Sequence, residues 1–369
     1  MKIPFFNYPA VYELYKNDFI RILDEVGSRG AFIMQNDLSE FENEIARYSG
    51  SNFAVGVGNA TDALEMLVSV AGIKKDDEVI ISSHTMIATA SAISANGAKA
   101  IPVECGSDHL IDPQSIEKSI TNKTKCIMPT QLNGRTANMD QISDIANKYE
   151  LQIIEDSAQA LGSKFKDKNA GTFGLGGCIS FYPAKVLGCL GDGGIILCND
   201  KEIYDKLIMM RDHGRNPISG DVLLWGRNSR LDNLQAAFLR HQFKNYNNVV
   251  ARRREIAGLY QERLADIPQI VLPPNVNNQS EHYDIYQNYE IEAIKRDDLK
   301  TFLFENGVGT LIQWGGKGVH QFKELGYTDS LPFSEKIFNR MLLIPINMTI
   351  TNDEIGYICE KIITFYNRY

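Results

Sequence analysis

Residues 152–194 read QIIEDSAQALGSKFKDKNAGTFGLGGCISFYPAKVLGCLGDGG and contain two features that decide the fold. An apolar run ends in Glu155-Asp156, and Lys185 follows Asp156 by 185 − 156 = 29 residues, between apolar or aromatic neighbours and a glycine-rich turn. In an α/β sheet the carboxyl ends of the strands bind ligands, so Asp156 is well placed to meet one. A lysine in apolar surroundings has the lowered pKa that Schiff-base chemistry requires.

Each of these residues also has a purely structural explanation. Asp156 could cap a helix, and Lys185 could bury its aliphatic stem while its charge reaches solvent. Together they fit pyridoxal phosphate, which needs a lysine for its aldehyde and a carboxylate that keeps its pyridine nitrogen protonated. Their order, with a strand-like element between them, is typical of aspartate-aminotransferase-like enzymes.

The sequence around this segment alternates short apolar runs with helix-patterned stretches such as Asp62–Ala71 and Met139–Tyr149, which is the signature of a mostly parallel sheet covered by helices on both faces. The predicted strands are Phe53–Val57, Glu78–Ile81, Ala100–Val103, Cys126–Pro129 and Gln152–Ile154.

The pattern changes after about residue 245 to a long charged helix near Val249–Ala265, followed by short strands mixed with helices. The chain of 369 residues also exceeds the roughly 250 to 300 residues at which a single core stops growing. We therefore predict an α/β fold: a three-layer, aspartate-aminotransferase-like large domain over residues 1–245 that binds pyridoxal phosphate, and a smaller C-terminal α+β domain over residues 246–369.

A phosphate site is predicted at residues 55–67, VGVGNATDALEML, where a strand leads through a glycine-containing turn into a helix that starts near Thr61-Asp62. The N–H groups and dipole of a helix N-terminus favour an anion, and the Thr61 hydroxyl adds a donor. The segment also resembles a dinucleotide fingerprint, Gly56-x-Gly58, although Thr61 stands where the third glycine belongs. An NAD-dependent dehydrogenase is therefore an alternative.

The chain resembles the DegT/DnrJ/StrS family of sugar aminotransferases over nearly its whole length. The matching landmarks are FENEIARYSG (Phe41–Gly50), NATDAL, IEDSAQALGS, SFYPAKVLGCLGDGG and NSRLDNLQAA (Asn228–Ala237). Some members of the family carry histidine in place of the Schiff-base lysine and catalyse a dehydration. Lys185 places this chain among the transaminases, and the resemblance implies a homodimer with shared active sites.

The resemblance also implies roles for individual residues. Lys185 and Asp156 are the catalytic pair, with Lys185 forming the Schiff base and Asp156 pairing with the pyridine nitrogen. The remaining cofactor contacts implied are Gln159 at the phenolic oxygen, Ala60, Thr61 and Ser180 at the phosphate, and Asn228 at the phosphate from the second subunit. Core hydrogen bonds for Gln159 and Ser180, and a helix cap for Asn228, are the alternatives.

The chain departs from the family pattern at three places. Met86 stands where an aromatic residue usually stacks on the pyridine ring, and its thioether gives a softer platform. The segments QLNGR (131–135) and IQWGGK (312–317) replace the usual residues at candidate substrate contacts. The sequence leaves the roles of Arg135, Gln313 and Trp314 open.

The function implied is transfer of the amino group of L-glutamate to a keto sugar, with a nucleotide-linked keto-deoxyhexose for surface polysaccharide as the preferred acceptor. A non-nucleotide keto-sugar acid or a small keto-polyol phosphate is the enzymatic alternative, because the altered segments are candidate substrate contacts. A non-catalytic regulator on the same fold is a further alternative, but it would not need Lys185, Asp156 and Thr61 together.

Composition limits the partners. The net charge of −8 and the pI near 5.4 argue against nucleic-acid binding, which needs a basic face. The chain has neither a signal-peptide pattern nor the roughly 18 consecutive apolar residues of a membrane span, so we expect a cytoplasmic protein that does not bind membranes. The six cysteines lack metal-ligand spacing, and we expect reduced thiols and no metal.

Overall fold

The computed structural model describes residues 1–278 and 281–368. The helices are α1 Tyr8–Ser28, α2 Asn36–Ser49, α3 Ala60–Val70, α4 Ile87–Ala95, α5 Pro113–Lys118, α6 Met139–Lys148, α7 Lys201–Met210, α8 Asn233–Phe243, α9 Tyr246–Leu264, α10 Arg296–Glu305, α11 Pro332–Phe338 and α12 Asn352–Tyr366. The strands are β1 Phe53–Val57, β2 Glu78–Ser82, β3 Lys99–Val103, β4 Thr124–Met128, β5 Gln152–Asp156, β6 Lys164–Phe165, β7 Lys168–Asn169, β8 Gly176–Ser180, β9 Gly194–Cys198, β10 Ile270–Val271, β11 His282–Tyr283, β12 Tyr289–Ala293 and β13 Met341–Ile344.

A seven-stranded sheet forms the centre of the molecule, in the order β1-β9-β8-β5-β4-β2-β3. Strands β8, β5, β4, β2 and β3 run parallel to one another, whereas β9 is antiparallel to both of its neighbours. The predicted mostly parallel sheet is confirmed. Its parallel strands place Asp156 and Ser180, the last residues of β5 and β8, at the same edge.

Helices cover both faces of this sheet because its strands are apolar on both sides. Along β2, Val79 and Ile81 pack in one cluster with α3 and α4, whereas Ile80 packs in another with α5 and α6. Successive side chains of a strand point to opposite faces, so both faces of β2 are buried. Helices α2 and α8 cover the neighbouring strands on the α5–α6 side. This three-layer arrangement is the predicted fold class.

A second sheet lies near the C-terminus, in the order β10-β12-β13. Helices α9, α10 and α12 share its apolar cluster, which also includes Ile3 from the start of the chain. Helix α12 begins with a capping box, in which Thr351 and Glu354 exchange hydrogen bonds. The domain division between residues 245 and 246 stays a prediction.

No helix within residues 1–278 and 281–368 is long and apolar enough to cross a membrane. The six cysteines are all free, as the sequence predicted, and all six are buried.

Candidate active site

One cavity of about 380 Å³ collects nearly all of the residues predicted to bind the cofactor. It lies at the carboxyl ends of β5 and β8, beside the N-termini of α3 and α4. Of the predicted residues, its lining includes Ala60, Thr61, Met86, Asp156, Gln159, Ser180 and Lys185. The topology therefore brings together side chains that are up to 125 residues apart in the sequence (185 − 60).

Asp156 is buried and held by hydrogen bonds to both carboxylate oxygens. The Thr89 hydroxyl donates to Oδ2 over 2.6 Å, and the backbone N–H of Ala158 donates to Oδ1 over 3.2 Å. The hydroxyls of Thr85 and Thr130 continue this network, 2.7 Å from Thr89 and 2.8 Å from Thr85 respectively. Hydrogen bonds of this kind fix the orientation of the carboxylate. Asp156 does not cap a helix, because no helix follows β5 directly.

Lys185 lies in a tight turn after β8. Its backbone N–H donates to the carbonyl of Tyr182 over 2.8 Å. Gly188 closes the turn, where a Cβ would come within 2.8 Å of the Pro183 carbonyl oxygen. Burial lowers the pKa of the Lys185 amine, and the charge of Asp156 opposes part of that shift. A lowered pKa increases the fraction of uncharged amine, which is the nucleophilic form.

The N-terminus of α3 has the donors that a phosphate group requires. The Asn59 side chain caps the helix by accepting from the N–H of Asp62 over 2.8 Å. Ser180 pairs across the sheet with Gly194, where a Cβ would lie 2.6 Å from the Asn59 carbonyl carbon. Gly194 thus lets β9 approach the helix closely, which brings the Ser180 hydroxyl to the same cavity. Helix N–H groups with nearby hydroxyls fit a phosphate monoester.

Gln159 presents its amide nitrogen to a ligand. Its Oε1 accepts a hydrogen bond from the backbone N–H of Asn133 over 2.8 Å, so the amide orientation is fixed. The NH₂ end is a donor suited to an oxygen atom such as a phenolate. Together, the amine of Lys185, the carboxylate of Asp156 and the phosphate donors match the functional groups of pyridoxal phosphate.

A model of the DegT/DnrJ/EryC1/StrS aminotransferase family matches residues 14–363. The chain belongs to this family. Aminotransferases of this family use pyridoxal phosphate, which agrees with the donor set in the cavity.

Individual relatives match this chain over almost its whole length. The chain is 36% identical, over all of both chains, to a protein named "Pleiotropic regulatory protein" of Geobacillus stearothermophilus. It is 35% identical to the dTDP-3-amino-3,4,6-trideoxy-alpha-D-glucose transaminase of Streptomyces venezuelae, over 94% of this chain and 91% of the relative. Among solved structures, S. venezuelae DesV in complex with a ketimine intermediate superposes with a TM-score of 0.95, at 33% identity, over 100% of this chain and 99% of that one.

Asn228 is the predicted contact that lies outside the cavity of this aminotransferase. It is exposed and forms an isolated antiparallel bridge with Asp212. It does not cap the following helix, because the N-cap residue of α8 is Asp232. A phosphate contact from Asn228 of a second subunit stays a prediction.

In the first altered segment of the aminotransferase, residues 131–135, the side chains of Gln131 and Arg135 bond to other protein groups. The Gln131 amide donates to the buried carboxylate of Glu155 over 2.7 Å and accepts from the N–H of Ala137 over 2.7 Å. Arg135 is paired with Asp284 at 2.7 Å and does not line the cofactor cavity.

The second altered segment meets the first through Asn133. The Asn133 Oδ1 accepts hydrogen bonds from Gln313 over 2.7 Å and from Asn288 over 2.9 Å. Trp314 lines the cofactor cavity and has a φ of 47°, a rare conformation for a bulky residue. Strained backbone of this kind clusters at functional sites. Trp314 and Met86 therefore lie at the cavity. Gln313 does not line it and instead donates a hydrogen bond to Asn133.

Several side chains of this site were not predicted from the sequence. Thr89, the main partner of Asp156, lies three residues after Met86, one turn along α4. That spacing, in MIAT, is a signal that could have identified it. Tyr182 and Asp192 also line the cavity from either side of the Lys185 turn.

The glycines that resemble a dinucleotide fingerprint are explained by packing in this aminotransferase. A Cβ on Gly56 would lie 2.7 Å from a methyl carbon of Leu38, and one on Gly58 would lie 3.3 Å from the Ser229 hydroxyl. The Ser229 hydroxyl also accepts from the N–H of Gly58 and donates to Asp62. Protein atoms thus occupy the space beside both glycines, which does not favour the dehydrogenase alternative.

Proposed function

We propose that this aminotransferase binds pyridoxal 5′-phosphate in the cavity between β5, β8 and the N-terminus of α3, and transfers the amino group of L-glutamate to a nucleotide-linked keto sugar. The observation that carries the proposal is that one cavity contains Lys185, Asp156 and a phosphate cradle at Thr61. The acceptor class follows the S. venezuelae relative, a dTDP-sugar transaminase by name.

The bound cofactor would supply an aldehyde that takes up the amino group and a protonated pyridine ring that withdraws electrons from the donor's Cα. Lys185 would hold the cofactor covalently through its aldehyde carbon. Asp156 would keep the proton on the pyridine nitrogen, with Thr89 fixing the carboxylate. The N–H groups at the start of α3 and the hydroxyls of Thr61 and Ser180 would hold the phosphate.

Lys185 also moves protons in this proposal. Once its amine is released, Nζ takes the proton from the Cα of L-glutamate and later returns a proton to the acceptor's sugar carbon. Burial favours this role because it lowers the pKa of the amine, which leaves more of it as a base. Met86 and Trp314 add apolar surface around the reacting atoms.

We also propose that the active unit is a homodimer in which Asn228 of the second copy completes the phosphate site. Asn228 is exposed, and the loop before it exposes four apolar side chains, of which Trp225 is 98% exposed; the other three are Ile218, Val222 and Leu223. Exposed apolar side chains that lie together mark interaction surfaces.

An acceptor screen tests the substrate assignment. Purified enzyme is incubated with L-glutamate and either a dTDP-linked or UDP-linked keto-deoxyhexose, or a nucleotide-free keto-sugar acid or keto-polyol phosphate, and 2-oxoglutarate is measured. Multiple turnovers with a nucleotide-linked sugar support the proposal. Turnover with the nucleotide-free compounds alone would contradict the proposal and support the alternative acceptors, a keto-sugar acid or a keto-polyol phosphate.

A non-catalytic regulator is the alternative that the name of the Geobacillus relative brings forward. The network that holds Asp156 argues against it, because a hydrogen bond from Thr89, itself bonded to Thr85, onto a buried acid beside Lys185 has no evident use in a regulator. A protein that binds the cofactor but does not respond to L-glutamate would favour the regulator.

A further inference from the structure

We propose that His84, His109 and Glu290 form a binding site for a divalent transition-metal ion such as Zn²⁺, outside the cofactor cavity. His84 follows β2 and His109 follows β3 of the central sheet, whereas Glu290 lies on β12 of the C-terminal sheet. The ion would therefore connect the two sheets. Imidazole and carboxylate are the ligands of many Zn²⁺ sites.

The geometry of the three side chains fits one ion. One potential ligand atom from each residue lies within 4.8 Å of the others. The His84 Nε2 is 3.6 Å from Glu290 Oε2, close to the roughly 3.4 Å that separates ligands at about 2.1 Å from a tetrahedral ion. The His109 Nδ1 is 2.5 Å from Glu290 Oε1, and this pair would open by about 1 Å around the ion.

Unsatisfied polar atoms provide the second, independent observation. The His84 side chain is fully buried, and neither ring nitrogen has a hydrogen bond of normal geometry within the described part of the chain, although the Gln313 amide and the His109 backbone lie nearby. The Glu290 Oε2 also lacks a hydrogen bond of normal geometry, although the Asn133 side chain lies nearby. Buried polar atoms are almost always satisfied, and leaving them unpaired costs about 1–3 kcal/mol each. A cation bound between His84 Nε2 and Glu290 Oε2 would satisfy these two atoms.

The surroundings also have the second layer of contacts that metal sites need. The His109 Nε2 lies 3.4 Å from a carboxylate oxygen of Glu292, two residues after Glu290 on the same face of β12. A carboxylate on the second nitrogen of a ligating histidine fixes its tautomer and orientation. His109 itself has a φ of 66°, a strained conformation that the fold maintains.

Metal binding would also stabilise the cofactor cavity. His84 immediately precedes Thr85, which is hydrogen-bonded to Thr89, the residue that donates to Asp156. The His84 ring also packs edge-on against Trp314, with ring centroids 5.3 Å apart. The ion would thus fix the segment that carries Thr85, and its role would be positional rather than catalytic.

Equilibrium dialysis of the purified holoenzyme against Zn²⁺, followed by metal analysis, tests the site. We expect one Zn²⁺ per chain, and at least a 100-fold loss of affinity in Glu290→Gln and in His109→Gln. Glu292→Gln, which removes the outer carboxylate, should lose about 10- to 100-fold. His241→Gln is the matched control, since His241 pairs with Asp18 at 3.2 Å elsewhere on the protein and should bind Zn²⁺ as the wild type does.

Failure to retain Zn²⁺, or equal retention by the wild type and Glu290→Gln, would overturn the proposal and leave His109 as a protonated partner of two carboxylates. If Glu290→Gln does not fold, X-ray absorption of the Zn²⁺-loaded wild type decides: two imidazoles around the ion support the site, and fewer contradict it. These measurements need no substrate, so their outcome is independent of the proposed transamination.

Discussion

The Thr89 hydroxyl donates a hydrogen bond to the buried carboxylate of Asp156 over 2.6 Å. Thr89 is itself hydrogen-bonded to Thr85, so a chain of two hydroxyls helps to determine how Asp156 faces the cavity. The acid that would keep the pyridine nitrogen protonated is therefore held by the first turn of α4 as well as by its own strand.

Replacement of this hydroxyl gives the first prediction. Thr89→Val keeps the shape of the side chain but removes the donor, and a hydrogen bond to a charged group contributes about 1.5–3 kcal/mol. We expect kcat to fall at least about 10-fold with little change in the KM for L-glutamate. Steady-state kinetics measures both, and Thr89→Ser should restore most of kcat. A Thr89→Val enzyme with wild-type kcat would remove Thr89 from the positioning role.

The lowered pKa of Lys185 predicts a pH-dependent stability in the cofactor-free protein. Burial disfavours the charged amine in the folded state, whereas the unfolded chain binds a proton up to about pH 10.5. The folded protein is therefore destabilised at neutral pH, and this effect disappears as the pH rises towards 10.5. Lys185→Met removes it, so the variant should be more stable than the wild type at pH 7, and its advantage should shrink as the pH increases.

Urea denaturation of both cofactor-free proteins at a series of pH values measures this difference. Comparing the two proteins cancels the titration of groups that they share. A difference in unfolding free energy that does not change with pH would show that Lys185 is not desolvated.

The close approach at Gly194 predicts a specific effect on cofactor binding. A methyl group in Gly194→Ala would meet the backbone of Asn59 at 2.6 Å and displace the N-terminus of α3. Overpacking of this kind costs about 1–3 kcal/mol, and we expect the Kd for pyridoxal phosphate to rise about 10-fold or more. Gly27→Ala is the control, because a Cβ on Gly27, within α1, meets no atom within 4 Å. Equal cofactor affinity in both variants would argue against a phosphate site at α3.

The shared active site is tested by complementation between two inactive variants. Asn228→Asp places a negative charge at the predicted phosphate contact, and Lys185→Ala removes the Schiff-base lysine. A heterodimer of the two would have one site with both Lys185 and Asn228 intact. Co-expression in equal amounts should recover about a quarter of the wild-type activity, since half of the dimers are mixed and each has one intact site. No recovery would place Asn228 outside the partner's site.

Local signals were sufficient for much of the fold. Strand β1 has the predicted bounds, Phe53–Val57, because a short apolar run between polar residues is the pattern of a buried strand. Helix α9 begins at Tyr246, three residues before the predicted start at Val249, because tertiary contacts bury Tyr246 and extend the helix. Lys185 and Asp156 could be predicted together because the chemistry of one cofactor links them.

Contacts between distant segments could not be predicted in this way. The pairing of Arg135 with Asp284 joins residues 149 apart (284 − 135), and the burial of Gln131 depends on Glu155, so both appeared as candidate substrate contacts. The expectation of no metal rested on cysteine spacing. His84 and Glu290 are 206 residues apart (290 − 84) and meet only in the folded chain.

The most direct test of the account is the absorbance spectrum of the purified aminotransferase before and after L-glutamate is added without any acceptor. We predict a band near the visible edge that shifts to shorter wavelength with L-glutamate, and no such shift in Lys185→Ala, which lacks the amine that moves the Cα proton. A wild-type protein that stays colourless and unresponsive after incubation with pyridoxal phosphate would contradict the assignment of Lys185 and Asp156 to a cofactor site.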